Sequence, residues 1–187
     1  MTTQKRKARV TKDQWLAAAL EMFTHGGEPF VKIEQLAREV GVAKAGFYWH
    51  FKNREDLLKQ LLSFWAHEYT EVVTENALLQ ELPPRERLFM TMQMIHDDNL
   101  AGLDMHFHVW AMKDKHVAKK VRAVIDKRFN FVKSIFSDAG FTGDELEMRT
   151  RLFVAHESNE LLMFKKMNRS QATKFRENRC RLLLRLN

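Results

Sequence analysis

Residues 40–56, VGVAKAGFYWHFKNRED, contain the stretch that decides the fold. The stretch begins with small residues and then places five ring-bearing residues in consecutive positions: Phe47, Tyr48, Trp49, His50 and Phe51. Because Phe47 and Phe51 are four residues apart, they share one side of a helix, and we expect both to point into a core. The five rings cannot all face inward, so the pattern predicts that at least two of them are exposed.

The spacing of Ala37 and Gly41 just before this stretch predicts a helix-turn-helix. A small residue lets the second helix cross the first closely, and four residues later the turn needs a residue that tolerates a positive φ. Small residues at the start of the second helix would let its backbone enter a DNA major groove. Side chains predicted to face the groove or the phosphates are Lys44, Ala45, Tyr48, Trp49, His50, Lys52 and Arg54.

The whole chain is predicted to be all-α, because good helix formers fill long intervals between a few glycines and prolines. A capping box at Thr11 and Gln14 would begin the first helix, and Asn53 would cap a long fourth helix. A second capping box is expected at Thr142 and Glu145. Beyond Pro83 and Pro84, helices are expected near 84–100, 103–113, 115–139, 143–168 and 170–186.

The net charge of +7 and the pI near 9.6 favour a nucleic acid, an anionic membrane surface or an acidic ligand, without choosing among them. Five basic residues precede the first acidic one: Lys5, Arg6, Lys7, Arg9 and Lys12. By itself this arm favours a solvated, disordered terminus. Beside a helix-turn-helix, it would add phosphate contacts.

The chain is expected to be a cytoplasmic protein without a membrane partner. Its single cysteine, Cys180, excludes an internal disulfide and a cysteine-rich metal site. The basic start does not lead into the apolar stretch of a signal peptide. No apolar run approaches the length of about 20 residues that a membrane helix needs.

The second half of the chain is rich in methionine and aromatic residues, with eight of the ten methionines between residues 90 and 167. Such residues line adaptable pockets for apolar ligands, and they also fill ordinary helical cores, which is the more frequent case. The candidate ligand-binding residues are Trp65, Met94, Met105, Phe107, Trp110 and Phe129.

The histidines do not predict a metal site or a cofactor. His96-Asp97-Asp98 and His106-Phe107-His108 lack the i, i+3 or i, i+4 spacing that places two ligands on one helical face. Partly solvated histidines are the expected state, including His116 and His156. No pairing of a nucleophile with a base is visible either, so we expect no catalytic residues.

The N-terminal residues resemble the TetR-type transcriptional regulators over about 11–62. The resemblance is carried by Phe23 before a glycine turn, by Leu36-Ala37 and Gly41-Val42, and by the run from Phe47 to Arg54 followed by Leu57-Leu58. It implies a DNA-binding domain at residues 1–54 with the basic arm, and an effector-binding and dimerisation domain at residues 55–187. It also implies a homodimer formed by the last two helices, and a palindromic double-stranded DNA operator.

By residue, the resemblance places Lys44, Ala45, Gly46 and Tyr48 at the groove, and Tyr48, His50, Lys52 and Arg54 on phosphates. This chain departs from the family's pattern at three positions. Lys32 and Ala43 stand at helix starts where Thr or Ser is common, and Gly46 replaces a frequent Thr. Fewer hydroxyl groups therefore face the phosphates than is usual for the family.

The leading hypothesis is a ligand-responsive dimeric regulator, most often a repressor in this family, that a small apolar effector releases from DNA. The alternative keeps the fold and the DNA binding but gives the C-terminal domain a protein partner instead of a small molecule. A third hypothesis, an all-α enzyme using the histidines and acids around 96–108, has no nucleophile–base pair or metal spacing to support it. We therefore expect a protein that is not an enzyme.

Overall fold

The computed structural model describes residues 10–97, 100–165 and 167–185, and within these ranges all regular structure is helical. The chain forms two compact units, of which the first ends at Phe64 and the second begins at Trp65. The prediction of an all-α chain is therefore confirmed. The arm residues Lys5, Arg6, Lys7 and Arg9 lie outside the described residues.

Helix α1 of the first unit spans Lys12–Thr24 and begins with the predicted capping box. The Gln14 N–H donates to Thr11 Oγ1 at 3.2 Å, and the Thr11 N–H donates to Gln14 Oε1 at 2.8 Å. These bonds satisfy backbone donors that have no partner inside the helix. The apolar side of the helix is buried as a whole: Trp15, Leu16, Ala19, Leu20 and Phe23.

The helix-turn-helix consists of α2, Ile33–Glu39, a turn at Gly41, and a 3₁₀ helix, Lys44–Trp49. Gly41 has a φ of +72°, as the spacing predicted. The second helix of the motif is more tightly wound than the α-helix that a helix-turn-helix predicts. Gly46 disfavours an α-helix, and the His50 N–H bonds to the Phe47 carbonyl three residues back at 2.9 Å.

Helix α3, Arg54–Ala66, follows this segment. Asn53 caps it as predicted, since its Oδ1 accepts from the Asp56 N–H at 2.9 Å. Beyond Ala66 the helical path continues through a π-helical turn, His67–Glu71, into the short α4, Val72–Thr74. A π-helical turn widens the helix locally, and such turns are frequent at functional sites.

The second unit contains six further helices among the described residues. They are α5 Ala77–Glu81, α6 Pro84–Asp97, α7 Leu100–Ala111, α8 Lys115–Asp138, α9 Gly143–Met163 and α10 Arg169–Leu183. Helix α5 was not predicted from the sequence, although Asn76 caps it by accepting from the Leu79 N–H at 3.0 Å. The proline pair ends the preceding segment, and Pro84 begins α6, where a missing N–H has no cost.

The capping box expected at Thr142 and Glu145 is wrong. Thr142 is the N-cap of α9, but its side chain makes no capping bond. The Glu145 carboxylate instead accepts from Arg149 Nε at 3.0 Å, one turn along the helix. A capping box that the sequence analysis missed begins α10, where Asn168 and Gln171 exchange bonds.

The core of the second unit lies between α6, α8, α9 and α10. Its most deeply buried members are Leu88, Met92, Ile135, Phe136 and Phe153. Cys180 completes this cluster, and burial raises the pKa of its thiol to about 11, so the thiol is unreactive at neutral pH. Within the described residues, no helix combines the length and the apolarity needed to cross a lipid bilayer.

Two glycines of the helix-turn-helix should respond oppositely to alanine. Gly41→Ala should lower the free energy of unfolding by about 1–2 kcal/mol, because alanine is strained at positive φ. A Cβ at Gly46 would lie 3.4 Å from Val42 Cγ2, an ordinary contact, so Gly46→Ala should be neutral or stabilise by up to about 1 kcal/mol. Urea unfolding measured by circular dichroism tests both, and equal destabilisation would contradict this account of the turn.

Candidate nucleic-acid interface and effector cavity

Two phenylalanines anchor the 44–51 segment to the first unit. Phe47 is fully buried and packs edge-on against Trp15 of α1, with ring centroids 5.7 Å apart. Phe51 is buried as well, and its ring centroid lies 5.1 Å from that of Phe47. The prediction that both rings face inward is confirmed. Edge-to-face contacts of this kind stabilise the packing beyond simple area burial.

The residues between the two anchors face outward. Tyr48 is 54% exposed and Trp49 is 74% exposed, so the prediction that at least two rings lie outside is confirmed. A tryptophan so exposed is unusual, because its large apolar surface is normally buried. The other exposed candidates for DNA contact are Lys32, Ala43, Lys44, Ala45 and Lys52.

Gly46 is half-buried, and a side chain at this position would point toward Val42 and Trp15. The side-chain direction of Gly46 is therefore toward the interior of the first unit, where a Cβ would make ordinary contacts. Its neighbours Lys44 and Ala45 are exposed. Small residues on this outer side leave the backbone of the segment accessible to a partner.

His50 and Arg54 form hydrogen bonds within the chain. His50 Nε2 donates to the Val10 carbonyl at 3.1 Å and so ties the end of the 3₁₀ helix to the chain that precedes α1. Arg54 Nε donates to the Val31 carbonyl at 2.8 Å, and its Nη2 donates to the Glu28 carbonyl. Arg54 therefore fixes the start of α3 against the loop that leads into α2. Sequence reasoning missed these bonds, because no motif at fixed spacing indicates them.

Three of the predicted ligand-binding residues form a closely packed aromatic cluster in the second unit. Trp65 stacks on Phe107 with ring centroids 4.2 Å apart, and Trp110 lies 6.4 Å from Phe107. Trp65 and Phe107 are buried, and Trp110 is nearly so. These rings are not among the described residues that line a narrow apolar cavity of this unit.

That cavity lies between the π-helical turn and helices α6 to α9. Its apolar wall is formed by Val73, Met94, Ile95, Phe131, Val132, Phe153 and Val154. Met94 is the predicted residue that it contains, while Met105 and Phe129 line a neighbouring, more open groove. The cavity is narrow, because only about 70 Å³ is open to the centre of a water molecule.

A polar network closes one side of this cavity. Asp104 accepts from Trp65 Nε1 at 2.9 Å and pairs with Arg128 through both carboxylate oxygens. Arg128 also donates to Thr70 Oγ1 at 2.8 Å and to the Tyr69 carbonyl at 3.1 Å. Arg128 is therefore neutralised by Asp104 and holds the π-helical turn, and both ends of the ion pair are well hydrogen-bonded, which a buried pair requires.

A cluster of potential metal ligands also lies in the second unit. His156, Glu157 and Glu160 place one ligand atom each within 4.8 Å of one another. Arg179 lies among them, donating to His156 Nδ1 at 2.9 Å, to Glu157 and to Glu160 at 3.2 Å. The guanidinium thus places a positive charge directly between the two acids. We interpret the cluster as a structural ion-pair network that joins α9 to α10.

The geometry defines a helix-turn-helix protein with a second, all-α unit. Residues 16–61 match the family described as "Bacterial regulatory proteins, tetR family". The match covers the helix-turn-helix and the helices on either side of it, about a quarter of the chain. The chain is 34% identical over 61 residues to TtgW of Pseudomonas putida, an uncharacterized helix-turn-helix-type transcriptional regulator. That match covers 33% of this chain and 46% of TtgW, so this chain matches less than half of the relative's length.

Solved structures extend the likeness in fold to nearly the whole chain. FadR from Bacillus subtilis, solved with stearoyl-CoA, has a TM-score of 0.66 and 18% identity, over 93% of this chain and 98% of FadR. AibR, solved with isovaleryl coenzyme A and operator DNA, has a TM-score of 0.68 and 19% identity, over 92% of this chain and 97% of AibR. At such identities the likeness establishes the fold alone.

Proposed function

We propose that this protein is a dimeric transcriptional repressor that binds a palindromic DNA operator and that a small apolar effector releases. The observation that carries the DNA-binding part is the outward position of Tyr48 and Trp49 between two buried phenylalanines, with Lys44 exposed just before them. Rings held in this way offer apolar contact to thymine methyl groups and to sugars, and the tyrosine hydroxyl offers a donor to phosphate. We propose that this activity needs no cofactor and no catalysis, and that the protein acts in the cytoplasm.

The remaining candidates are assigned roles in this proposal according to their surroundings. Lys32, Ala43 and Lys52 lie on the exposed side and are proposed to border the phosphates. Ala45 is proposed to admit the backbone to the groove, and Gly46 is proposed to take part through its backbone, since its side-chain direction is toward Val42 and Trp15. His50 and Arg54 are proposed to position the segment through their carbonyl bonds and to reach phosphate only at the edge of the interface.

Substitution of the exposed ring should separate DNA binding from folding. Trp49→Ala should weaken binding to the selected operator about tenfold, the effect expected for loss of one good groove contact, and leave the thermal midpoint unchanged. The operator is obtained by selecting from a random duplex pool, and affinity is measured by fluorescence anisotropy. Met112→Ala removes a comparably exposed apolar side chain beyond the end of α7 and should change nothing. Failure of the wild-type protein to enrich an inverted repeat at any salt concentration would refute the proposal.

The homodimer is proposed to form through α9 and α10. Large apolar side chains are exposed on both helices: Met148, Leu152, Phe175 and Leu182. The two helices lie alongside each other, since Arg149 of α9 donates to the Leu183 carbonyl of α10 at 2.7 Å. Two copies of such a pair would bury these side chains in a four-helix contact.

A charge placed on this surface should dissociate the dimer. Leu152→Glu should raise the dimer dissociation constant about a hundredfold or more, because an unpaired carboxylate would be buried at the contact. Leu78→Glu, on the exposed surface of α5, is the matched control and should leave the dimer intact. Sedimentation velocity measures both. Equal behaviour of the two variants would place the contact elsewhere.

The effector is proposed to be uncharged and largely apolar. The cavity wall is mostly aliphatic and aromatic, and its basic residue, Arg128, is already committed to Asp104, Thr70 and Tyr69. FadR and AibR, which share the fold, were solved with acyl-coenzyme A ligands, and this supports an apolar chain as one part of an effector. The narrow cavity favours a chain over a bulky group.

Binding in this cavity would act on the helix that leads to the DNA-binding domain. Tyr69 and Thr70 belong to the π-helical turn, line the cavity, and are held by Arg128. The same turn continues α3, which starts at Arg54 directly after the helix-turn-helix. An occupant that pushes against Tyr69 and Thr70 would therefore shift the end of this helix, and a shift between two arrangements is what allostery requires.

Cavity filling provides a test of the effector site. With 1-octanol as the probe, the wild-type melting temperature should rise, and its operator affinity should fall by a factor between about 5 and 150. Octanoate should have little effect, because the basic residue of the described cavity wall, Arg128, is already paired with Asp104. Val154→Phe should abolish both responses, whereas Val109→Phe on the exposed side of α7 should retain them. Equal responses in both variants would exclude this cavity and favour a protein partner for the second unit.

A further inference from the structure

Lys44 is the only charged residue between positions 40 and 49, which comprise the turn and the 3₁₀ helix of the helix-turn-helix. Its Nζ lies 2.5 Å from Oε1 of Glu34, in the first turn of α2. The pair joins the two helices of the helix-turn-helix, and both side chains remain exposed to solvent. Glu34 therefore places a carboxylate beside the cation that would meet DNA first.

Both members of the pair carry full charge at neutral pH. The hydrogen bond from Lys44 lowers the pKa of the Glu34 carboxyl, and the same bond raises the pKa of the Lys44 ammonium group. The charge of Lys44 is therefore offset by a carboxylate of α2. A carboxylate beside Lys44 is unexpected on a surface proposed to meet a polyanion in a chain of net charge +7.

We propose that Glu34 is a specificity-determining residue that withholds Lys44 from non-specific DNA. This inference rests on the proposed DNA-binding function. It concerns the difference between the protein's affinity for its operator and its affinity for random DNA. A random duplex offers Lys44 only phosphates, and Glu34 both occupies the ammonium group and repels those phosphates. An operator offers guanine O6 and N7 at a fixed position, and this acceptor pair replaces the carboxylate.

The pairing of Lys44 with Glu34 lowers mainly the affinity for non-specific DNA. Non-specific affinity comes almost entirely from cation–phosphate contacts, so the loss of one such contact reduces it directly. Specific binding retains its base-edge and apolar contacts and is affected less. Glu34 therefore raises the ratio of specific to non-specific affinity, which is the quantity that matters against a genome of competing sites.

The test compares Glu34→Gln with Glu39→Gln. Both substitutions remove one exposed carboxylate from the α2 helix, but only the first removes the partner of Lys44. Glu34→Gln should raise affinity for a random duplex by a factor between about 1.5 and 5, the range of an exposed ion pair. It should also steepen the slope of log affinity against log salt by about one unit. The ratio of selected-operator affinity to random-duplex affinity should fall.

A double-mutant cycle assigns the effect to the pair. In a Lys44→Gln background, Glu34→Gln should lose most of its effect on the salt slope. If Glu34→Gln and Glu39→Gln change DNA binding equally, the effect comes from net charge alone and the inference is overturned. The inference is also overturned if Glu34→Gln has the same effect in the Lys44→Gln background as in the wild-type protein. If the wild-type protein binds neither duplex, the proposed function fails and the inference fails with it. Binding with no difference among the variants overturns the inference alone.

Discussion

The packing of Phe47 against Trp15 is the contact on which the proposed DNA-binding surface depends. The 3₁₀ helix is only six residues long and could not hold its own conformation in water. Its outward geometry is set by Phe47 and Phe51, which lie in the core of the first unit. Because the two anchors occupy one side, Tyr48 and Trp49 have to occupy the other. Exposure of the tryptophan is thus the consequence of where its neighbours are buried, and it leaves a large apolar ring ready for contact.

The second unit is organised by polar networks as much as by its apolar core. Arg128 and Asp104 satisfy each other within a largely apolar surrounding, and Arg128 also bonds the π-helical turn. A buried pair of this kind adds little stability compared with an apolar replacement, but breaking it is costly. It therefore favours one arrangement of the turn that follows α3. The proposed effector would act where a specific arrangement is maintained by bonds that a ligand can disturb.

The features that could be predicted from the sequence are those determined by residues close together in the chain. Gly41 is predictable because a positive φ excludes most side chains, and the Thr11 capping box because its bonds span three residues. Phe47 follows from helical spacing. The Thr142 capping box failed because Glu145 had a better partner in Arg149, a competition that a pattern of two residues does not contain. The residue types of a capping box were present, but the Glu145 side chain pairs with Arg149 instead.

What escaped prediction depends on contacts between distant parts of the chain. The bonds of Arg54 to two carbonyls over twenty residues away, and the cavity wall drawn from the π-helical turn and several helices, have no signature at fixed spacing. The ion pair of Lys44 with Glu34 is of the same kind, because it joins two helices across a turn. Sequence reasoning located the cation that should meet DNA and could not locate the carboxylate beside it. The proposed function needs the first residue, and selectivity among DNA sequences depends on the second, so tertiary structure adds a constraint on specificity that the motif alone does not carry.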